Sequence, residues 1–218
     1  SLFVDGWDRL DVEAVDNSKA GAFSAGFAEG VATQASIHTM YVNNYADWFG
    51  DGKIPPAKGG FTPAAVYAWL SKNWQWTKAQ VANQRVLGGS RVDESPFWEW
   101  VGTNVNQLEG LVAGYNHAAP SHQKLALGDF LLLNADGDVE ALESAMSGGN
   151  ATTTRASRRS PLNLRCSSMW KIADDNSDIF FGHATWDHYD MMVRTLKRYQ
   201  WGSGDEAAVG VAKYIWAR

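Results

Sequence analysis

The amino-acid sequence predicts an α+β protein in which a mainly helical segment is followed by a β-hairpin. Apolar residues recur at helical spacing in three long stretches between Ala20 and Tyr115, a pattern typical of amphipathic helices. After residue 166 the apolar residues alternate with polar ones on both sides of a turn-forming Asp174–Ser177, as they do in paired strands. Helices that precede strands, rather than alternating with them, indicate the α+β class.

The composition is that of a folded globular chain. Of its 218 residues, 45% are hydrophobic and 20% are charged, a balance that supports a buried core. Eleven tryptophans predict a thick aromatic core or an apolar pocket with polar edges. The net charge of −5 argues against nucleic acid as a partner, because phosphate binding requires a basic face. No apolar run approaches the roughly 20 residues of a membrane span, so no transmembrane segment is predicted.

The first part of the chain predicts short strands and then a long helix. Leu2–Trp7 and Arg9–Val15 are interpreted as strands, the second because it alternates polar and apolar residues. Ala20–Tyr45 is predicted to be one helix whose small residues favour close packing against another element. These small residues are Gly21, Gly26 and Gly30, and the predicted apolar stripe is Phe23, Phe27, Val31, Ile37, Met40 and Tyr41.

Further helices are predicted from cap signals. Thr62-Pro63 begins a helix that runs to about Leu87, with Thr as the cap and Pro at the first helical position. Ser95-Pro96 begins another that runs to about Tyr115. The apolar stretch Leu125–Leu133 fits either a strand or a short helix, and a short helix begins at Gly137.

Composition divides the chain into three segments. Residues 1–146 are the helical and strand segment, 147–165 are an exposed linker or propeptide, and 166–218 begin a new structured segment. The linker contains threonines and arginines, ends at Arg165, and includes the glycosylation sequon Asn150-Ala151-Thr152. Because the chain begins at Ser1 without methionine, we expect a processed chain or a fragment.

A hairpin with one cysteine follows the linker. Cys166–Ala173 is predicted to be a strand and Asp178–His183 its return strand. A loop of two or four residues would place Cys166, Ser168, Trp170, Phe181 and His183 on one face, whereas an odd-numbered loop would move His183 to the other. Beyond the hairpin, Asp187 is predicted to cap a helix with an apolar stripe of Met192, Leu196 and Tyr199.

Cys166 is the only cysteine, which excludes an internal disulfide and a multi-cysteine metal site. No metal or other cofactor is predicted. On composition alone a lone cysteine is a small buried hydrophobe. If the peptide bond before Cys166 is cleaved, however, its own α-amine, with a pKa of about 7.7–8.0, can accept the thiol proton. The exposed linker that ends at Arg165 is a suitable place for such a cleavage.

Several motifs, in their order along the chain, resemble the phospholipase B-like family of lysosomal and secreted N-terminal-nucleophile hydrolases. The strongest part is Cys166-Ser167-Ser168, the turn His183-Ala184-Thr185-Trp186 and the basic segment Arg194–Tyr199. Gly128–Leu133 and Gly137–Leu142 are similar to the family as well, as are Gly6-Trp7 and the region Ala25–Gly30. The resemblance covers about Gly6 to Tyr199.

The resemblance implies an αββα N-terminal-nucleophile hydrolase sandwich, of which this chain supplies only part. It implies autocatalytic cleavage between Arg165 and Cys166 and hydrolysis of an acyl ester of a phospholipid-type substrate. An amidase of the same fold, acting on N-acyl amides or peptides, and a catalytically poor lipid-binding protein are the alternatives. The implied catalytic residues are Cys166, His183 and Trp186, and the possible pocket residues are Thr185, Asp187 and Ser168.

The family likeness also implies partners and a location. The partners are a lipid or acyl-amide substrate and the remaining C-terminal polypeptide of the same precursor, and the location is lysosomal or secreted. Two positions depart from the family pattern: Ala184 replaces the usual Asn, and Asp187 stands where Asn is usual. A lost amide removes a candidate oxyanion donor. Residues 200–218 do not resemble the family's continuation, which again predicts a fragment or a divergent C-terminal end.

Overall fold

The computed structural model describes residues 6–16, 18–49, 62–86, 95–146, 166–185, 193–202 and 208–216. These residues form six α-helices, one short 3-10 turn and five strands. In chain order they are β1 (Asp8–Ala14), α1 (Lys19–Ala32), α2 (Gln34–Phe49), α3 (Pro63–Val86), α4 (Ser95–Ala118), the 3-10 turn (Ser121–Gln123), α5 (Leu127–Asn134), α6 (Asp136–Met146), β2 (Cys166–Ile172), β3 (Ile179–Thr185), β4 (Val193–Trp201) and β5 (Ala208–Trp216).

The strands form two separate sheets within the described residues. One has the order β1-β4-β5, and the other is the β2-β3 hairpin. β1 runs parallel to β4, with Leu10 opposite Lys197, and β4 runs antiparallel to β5. The α+β class predicted from the sequence is therefore confirmed. The sheet also joins a strand that precedes the linker to two strands that follow it.

The prediction of a helix after Asp187 is wrong for the residues that the structure describes. Val193–Trp201 is the strand β4, paired along its whole length with β5 and from Thr195 onward with β1. The sequence contains the reason: β-branched and aromatic residues occupy every second position except Lys197, a period that suits a strand. Leu196 and Tyr199 consequently do not form a helical stripe. Asp187 and Met192 lie outside the described residues.

The single helix predicted over Ala20–Tyr45 is two helices, α1 and α2. The break is at Thr33, whose backbone N–H and side-chain hydroxyl both donate to the carbonyl oxygen of Glu29, at 2.9 and 2.7 Å. A hydroxyl that bonds four residues back competes with the helical pattern. The predicted start of α3 is confirmed. Thr62 caps this helix by accepting a hydrogen bond from the backbone N–H of Ala65 at 3.2 Å.

The two short helices and the early strands were also predicted from the sequence. Leu125–Leu133, left open between strand and helix, contains the helix α5, and the short helix near Gly137 is α6. Of the two early strands, the second is confirmed as β1. Gly6 and Trp7 are not strand residues, and residues 2–5 lie outside the described part of the chain.

Helix α1 packs against α4 through glycines on both helices. A Cβ atom added to Gly26 would lie 1.9 Å from the carbonyl oxygen of Gln107, and one added to Gly114 would lie 2.0 Å from that of Phe27. Gly30 and Gly110 meet the facing backbone equally closely. Two helix backbones can approach this closely only where neither helix has a side chain at the point of contact. The predicted close packing is therefore confirmed for Gly26 and Gly30, whereas Gly21 lies against Asp16, just before the helix.

The predicted apolar stripe of α1 is wrong at two positions. Phe23 and Val31 are exposed, by 39% and 40%. The helix instead buries its small face, because the glycines bring α4 nearer than a large side chain would allow. The buried residues of α1 are Ala22, Ala25, Gly26, Glu29 and Gly30.

The helices enclose two hydrophobic clusters. Both contain residues of α5, which is why this short apolar helix is central to the helical layer. The first cluster joins α2, α3, α5 and α6, and the second joins α4 to α5 and the segment between them. Their buried members are Trp48, Val66, Leu70, Leu132 and Val139 in the first and Tyr115, Ala119, Leu125 and Phe130 in the second.

A tyrosine–carboxylate network fixes α2, α3 and α5 relative to one another. The Tyr67 hydroxyl donates to Asp129 Oδ1 at 2.7 Å, and Asp129 Oδ2 accepts from the backbone N–H of Ala126 at 2.7 Å. Burial raises the pKa of Tyr41 to about 12, and burial together with the bond to Asp129 holds the pKa of Tyr67 well above its usual range. Both hydroxyls therefore remain protonated and can donate hydrogen bonds at neutral pH.

Glu29 is a buried carboxylate in the small face of α1. Its Oε1 accepts from Lys197 Nζ at 2.6 Å and its Oε2 from the Tyr199 hydroxyl at 2.8 Å. The side chain of Glu29 is 5% exposed and that of Lys197 is 22% exposed. Lys197 and Tyr199 share one face of β4 because they are two residues apart. The contact therefore connects the helical segment to the strand that follows the linker.

We expect Glu29→Ala to lower the free energy of unfolding by about 3 kcal/mol, because the variant loses the two hydrogen bonds that the buried carboxylate accepts from Lys197 and Tyr199. Chemical denaturation of the variant and the parent protein measures the difference.

Lys78 and Glu109 provide a matched control. Their Nζ and Oε1 atoms lie 2.5 Å apart, but the side chains are 49% and 31% exposed. Glu109→Ala should cost no more than about 1 kcal/mol. Equal losses in the two variants would contradict a special role for the buried contact.

Candidate functional site

The β2–β3 hairpin carries all of the predicted site residues that the structure describes. Its turn consists of the four residues 174–177. The backbone N–H of Ala173 donates to the carbonyl oxygen of Asp178 at 2.9 Å across the turn. Asp175 Oδ1 accepts from the Ser177 hydroxyl at 2.6 Å and from its backbone N–H at 3.1 Å, and these bonds lower the pKa of the Asp175 carboxyl. Asn176 takes the left-handed conformation with φ 58°. The turn composition therefore sets the loop length.

This even-numbered loop produces the predicted register. Ser168 lies opposite His183, Trp170 opposite Phe181, and Cys166 opposite Thr185. Directly opposed residues share a face of the sheet. The co-facial arrangement of Cys166, Ser168, Trp170, Phe181 and His183 is thus confirmed, and Thr185 joins it. We call this side of the hairpin the cysteine face.

Aromatic rings lie close together along the cysteine face. The Trp170 and Phe181 ring centroids are 4.5 Å apart, and the Phe181 and His183 rings are parallel within 9° at 6.4 Å. The next rung toward the turn is Ile172 opposite Ile179. The face therefore passes from two apolar rungs, through Ser168 and His183, to the cysteine.

The opposite face of the hairpin has a different composition. Its rungs are Ser167 with Ala184, Met169 with Gly182, and Lys171 with Phe180. A Cβ atom added to Gly182 would meet nothing within 4 Å. The side chains of residues 167–172 and 179–184 are exposed on both faces. Within the described residues, neither face of the hairpin is covered.

The remaining predicted site residues fall into two groups. Cys166 and Thr185 are described as opposed strand positions, at the end of the hairpin that is farther from the turn. Ala184, the departure from the family pattern, lies next to Thr185 on the opposite face. Trp186 and Asp187, the linker residue Arg165 and the sequon residue Asn150 lie outside the described residues.

A cavity of about 450 Å³ lies away from the hairpin, between the helices and the β1–β4 pair. Glu29, Lys197 and Thr195 contribute polar groups to its wall, and Met40 and Phe130 contribute apolar surface. None of its lining residues belongs to β2 or β3. The sequence predictions missed both this cavity and the buried Glu29 contact. A charged residue on the glycine face of α1 was the available signal for the contact.

The described residues hold no group of three or more His, Cys, Asp or Glu side chains arranged to bind a metal ion. No helix in this part of the chain combines the length and the apolar character needed to cross a membrane.

The fold and the hairpin define an α+β chain with a cysteine at the start of a strand. A family model described as Phospholipase B matches residues 1–215, and the chain belongs to that family. Because the match extends to residue 215, the expectation that the family likeness ends near Tyr199 is wrong. It is similar to phospholipase B-like protein D of Dictyostelium discoideum, with 28% identity over 208 residues that cover 90% of this chain and 33% of the relative.

Two further relatives give the same picture. Phospholipase B-like protein A of Dictyostelium discoideum is 27% identical over 221 residues, which are 91% of this chain and 35% of that protein. Phospholipase B-like 1 of Rattus norvegicus is 23% identical over 213 residues, which are 94% of this chain and 36% of that protein. The chain therefore spans about a third of the length of the curated relatives it matches.

The register of the hairpin can be tested by an engineered disulfide. Directly opposed Cα atoms in an antiparallel pair are about 4.5–5.5 Å apart, a distance that a disulfide can bridge. We expect Thr185→Cys to form a disulfide with Cys166 under mild oxidation, which thiol titration and peptide mapping detect. Ala184→Cys is the control. Its new side chain lies on the other face of the hairpin, so this variant should keep both thiols. A disulfide in the control alone would show that the register is shifted by one residue.

Proposed function

We propose that this protein is a hydrolase of acyl esters of the phospholipid type, with Cys166 as its nucleophile. The observation that carries the proposal is the cysteine face: a cysteine at the first position of a strand shares that face with Thr185, Ser168 and His183. Membership of the phospholipase B family supports hydrolysis as the reaction class. Peptide cleavage between Arg165 and Cys166 is the activating step of the proposal.

Each step of the proposed reaction uses groups of this chain. The free α-amine of Cys166 accepts the thiol proton, and the thiolate attacks the ester carbonyl carbon. The carbon–oxygen bond breaks, and the alcohol leaves with the proton that the amine held. A water molecule then attacks the thioester while the amine takes its proton. The fatty acid departs, and the proton returns to the sulfur.

Other residues have supporting roles in the proposal. His183 and Trp186 line the pocket at the reacting end, with Thr185, Asp187 and Ser168 nearby. His183 lies opposite Ser168, and its ring is stacked on Phe181, an arrangement that restricts the orientation of the imidazole. A pre-oriented polar group contributes more to catalysis than one that must be ordered during the reaction.

The same chemistry accommodates an amidase that acts on N-acyl amides or peptides, because thiolate attack also opens an amide. A second candidate of another class is a lipid-binding protein with little catalytic power. Ala184 motivates it, because the methyl group offers no hydrogen bond where the family usually has an amide. Turnover of matched ester and amide substrates, set against stoichiometric lipid binding, separates the three.

The proposal includes a segment order, a partner and a location. Residues 1–146 form the N-terminal segment of the hydrolase domain, 147–165 the linker or propeptide, and 166–218 the start of the catalytic segment. The remaining strands of the αββα sandwich come from further C-terminal polypeptide of the same precursor. Glycosylation at Asn150 accompanies a lysosomal or secreted location.

Cleavage can be tested directly by intact mass and N-terminal sequencing of the protein expressed from its full gene. We expect a new polypeptide that begins at Cys166, absent in Cys166→Ala, because the alanine lacks the attacking thiol. Ser167→Ala is the matched control, since its hydroxyl lies next to Cys166 in the strand but on the opposite face of the hairpin, and its loss should leave cleavage intact. An unbroken Arg165–Cys166 bond in protein that hydrolyses lipid esters would contradict the mechanism.

A further inference from the structure

We propose that His183 is the general base of the activating cleavage and takes the thiol proton of Cys166 while the peptide bond before that cysteine is still intact. This inference rests on the proposed function and deepens it by giving to a second residue a step that the α-amine cannot perform. The bond that is broken is the chain's own Arg165–Cys166 peptide bond.

The α-amine of Cys166 becomes a base only after its bond to Arg165 has been cut. In the uncut chain this nitrogen belongs to an amide, and its lone pair is delocalised into the carbonyl group. Such a nitrogen does not accept a proton at neutral pH. Because the thiolate is the form of cysteine that attacks, the uncut chain requires a base from another residue.

The register of the hairpin brings an imidazole to the cysteine. Cys166 lies opposite Thr185, and His183 is two residues from Thr185 in the same strand and on the same face. Cys166 and His183 are therefore diagonal neighbours, which are about 7–8 Å apart in an antiparallel pair and within reach of aromatic side chains. An imidazole at this position can accept the thiol proton directly or through one water molecule.

The cysteine face also bears the more closely spaced residue pairs of the hairpin. The backbone bond from Ala173 to Asp178 makes that pair a hydrogen-bonded one, and the two kinds of pair alternate along the ladder. The pairs of the cysteine face are therefore the non-hydrogen-bonded ones, whose Cα atoms are about 4.5 Å apart. The 4.5 Å between the ring centroids of Trp170 and Phe181 agrees with this spacing. Cross-strand neighbours are consequently closer on this face than on the other.

Among the described residues of the hairpin, His183 is the one imidazole on the cysteine face, and histidine is the residue type that most often serves as a general base. The carboxylates of the turn lie at the other end of the strands, roughly 20 Å from Cys166. Lys171 lies on the opposite face. The ring of His183 is parallel to that of Phe181 within 9°, so Phe181 occupies one side of the imidazole and the rung of Cys166 lies on the other.

The protons of this step balance. His183 takes the thiol proton, and the thiolate of Cys166 attacks the carbonyl carbon of Arg165. The carbon–nitrogen bond breaks, and the leaving nitrogen takes the proton from the imidazolium. The acyl group of Arg165 is then held on sulfur as a thioester. Water hydrolyses the thioester, which leaves a carboxylic acid at Arg165 and restores the thiol of Cys166, now beside a free α-amine.

The rate of cleavage in His183→Ala tests this role. The parent protein and the variant are made from the full gene by cell-free translation, and the polypeptide that begins at Cys166 is followed over time. We expect cleavage to slow by about 100-fold, the lower end of what a general base contributes. Imidazole in the buffer should restore part of the rate, because it replaces the lost base. His117→Ala is the matched control, since this exposed histidine of α4 lies beside Phe27 and should leave the rate unchanged.

Three results would overturn the role of His183. The first is cleavage of His183→Ala at the rate of the parent protein, which would place the base in another part of the chain. The second is slow cleavage that imidazole does not restore, which would make His183 a structural residue of the hairpin. The third is a parental rate in His183→Gln, because glutamine donates and accepts hydrogen bonds but does not take up a proton.

The parent protein separates this inference from the proposed function. A parent chain that is never cut before Cys166 contradicts the activating step of the proposed function, and the role of His183 in that step falls with it. If the parent and His183→Ala are cut equally fast, only the role of His183 fails, and Cys166 remains the proposed nucleophile. A cut that requires His183, in a protein that hydrolyses no ester, keeps the base and contradicts the hydrolase.

Discussion

The fold depends on the parallel pairing of β1 with β4 and on the buried carboxylate that reinforces it. Seven residues of β1 pair with seven of β4. The carboxylate of Glu29 accepts hydrogen bonds from the Lys197 ammonium and the Tyr199 hydroxyl of the same strand, β4. β1 and Glu29 precede the linker, whereas β4 follows it. Because main-chain bonds, a buried ion pair and a hydroxyl act together, the two parts of the chain are joined independently of the peptide bond before Cys166. A cut at that bond, as the proposed mechanism requires, would leave the attachment in place.

The hairpin depends on a different kind of constraint. The part of the chain that the structure describes shows no buried charge that holds it. Its register follows from a four-residue turn that Asp175 and Ser177 close with two hydrogen bonds. A slip of one residue would move His183 away from the face that bears Cys166. The chemistry proposed for this site therefore depends on a few polar atoms at the far end of the hairpin. The neighbouring rings of Trp170, Phe181 and His183 lie between those two ends.

Local signals in the sequence were sufficient for some elements and not for others. Thr62, Asp174–Ser177 and the alternation after Cys166 act over a few residues, so the α3 cap, the turn and the hairpin register could be predicted. β4 was mistaken for a helix because Leu196 and Tyr199 happen to suit helical spacing, while its partners in β1 lie 187 positions earlier in the chain. The break at Thr33 follows from a competing hydrogen bond of its hydroxyl group, and the exposure of Phe23 follows from the close approach of α4. The spacing of apolar residues in the sequence reveals neither. For the site, the shared face of Cys166 and His183 was predictable, whereas the pairing of Glu29 with Lys197 required the three-dimensional structure.

The most direct test of the account is to identify the covalent intermediate. The protein expressed from its full gene is incubated with the palmitate ester of p-nitrophenol, quenched with acid, digested and mapped by mass spectrometry. The account predicts a palmitoyl thioester on the sulfur of Cys166, in a peptide that begins with this residue and loses the acyl group in hydroxylamine. Steady ester turnover with the acyl group on another residue, or on Cys166 within an uncleaved chain, would contradict the assignment of Cys166 as an N-terminal nucleophile.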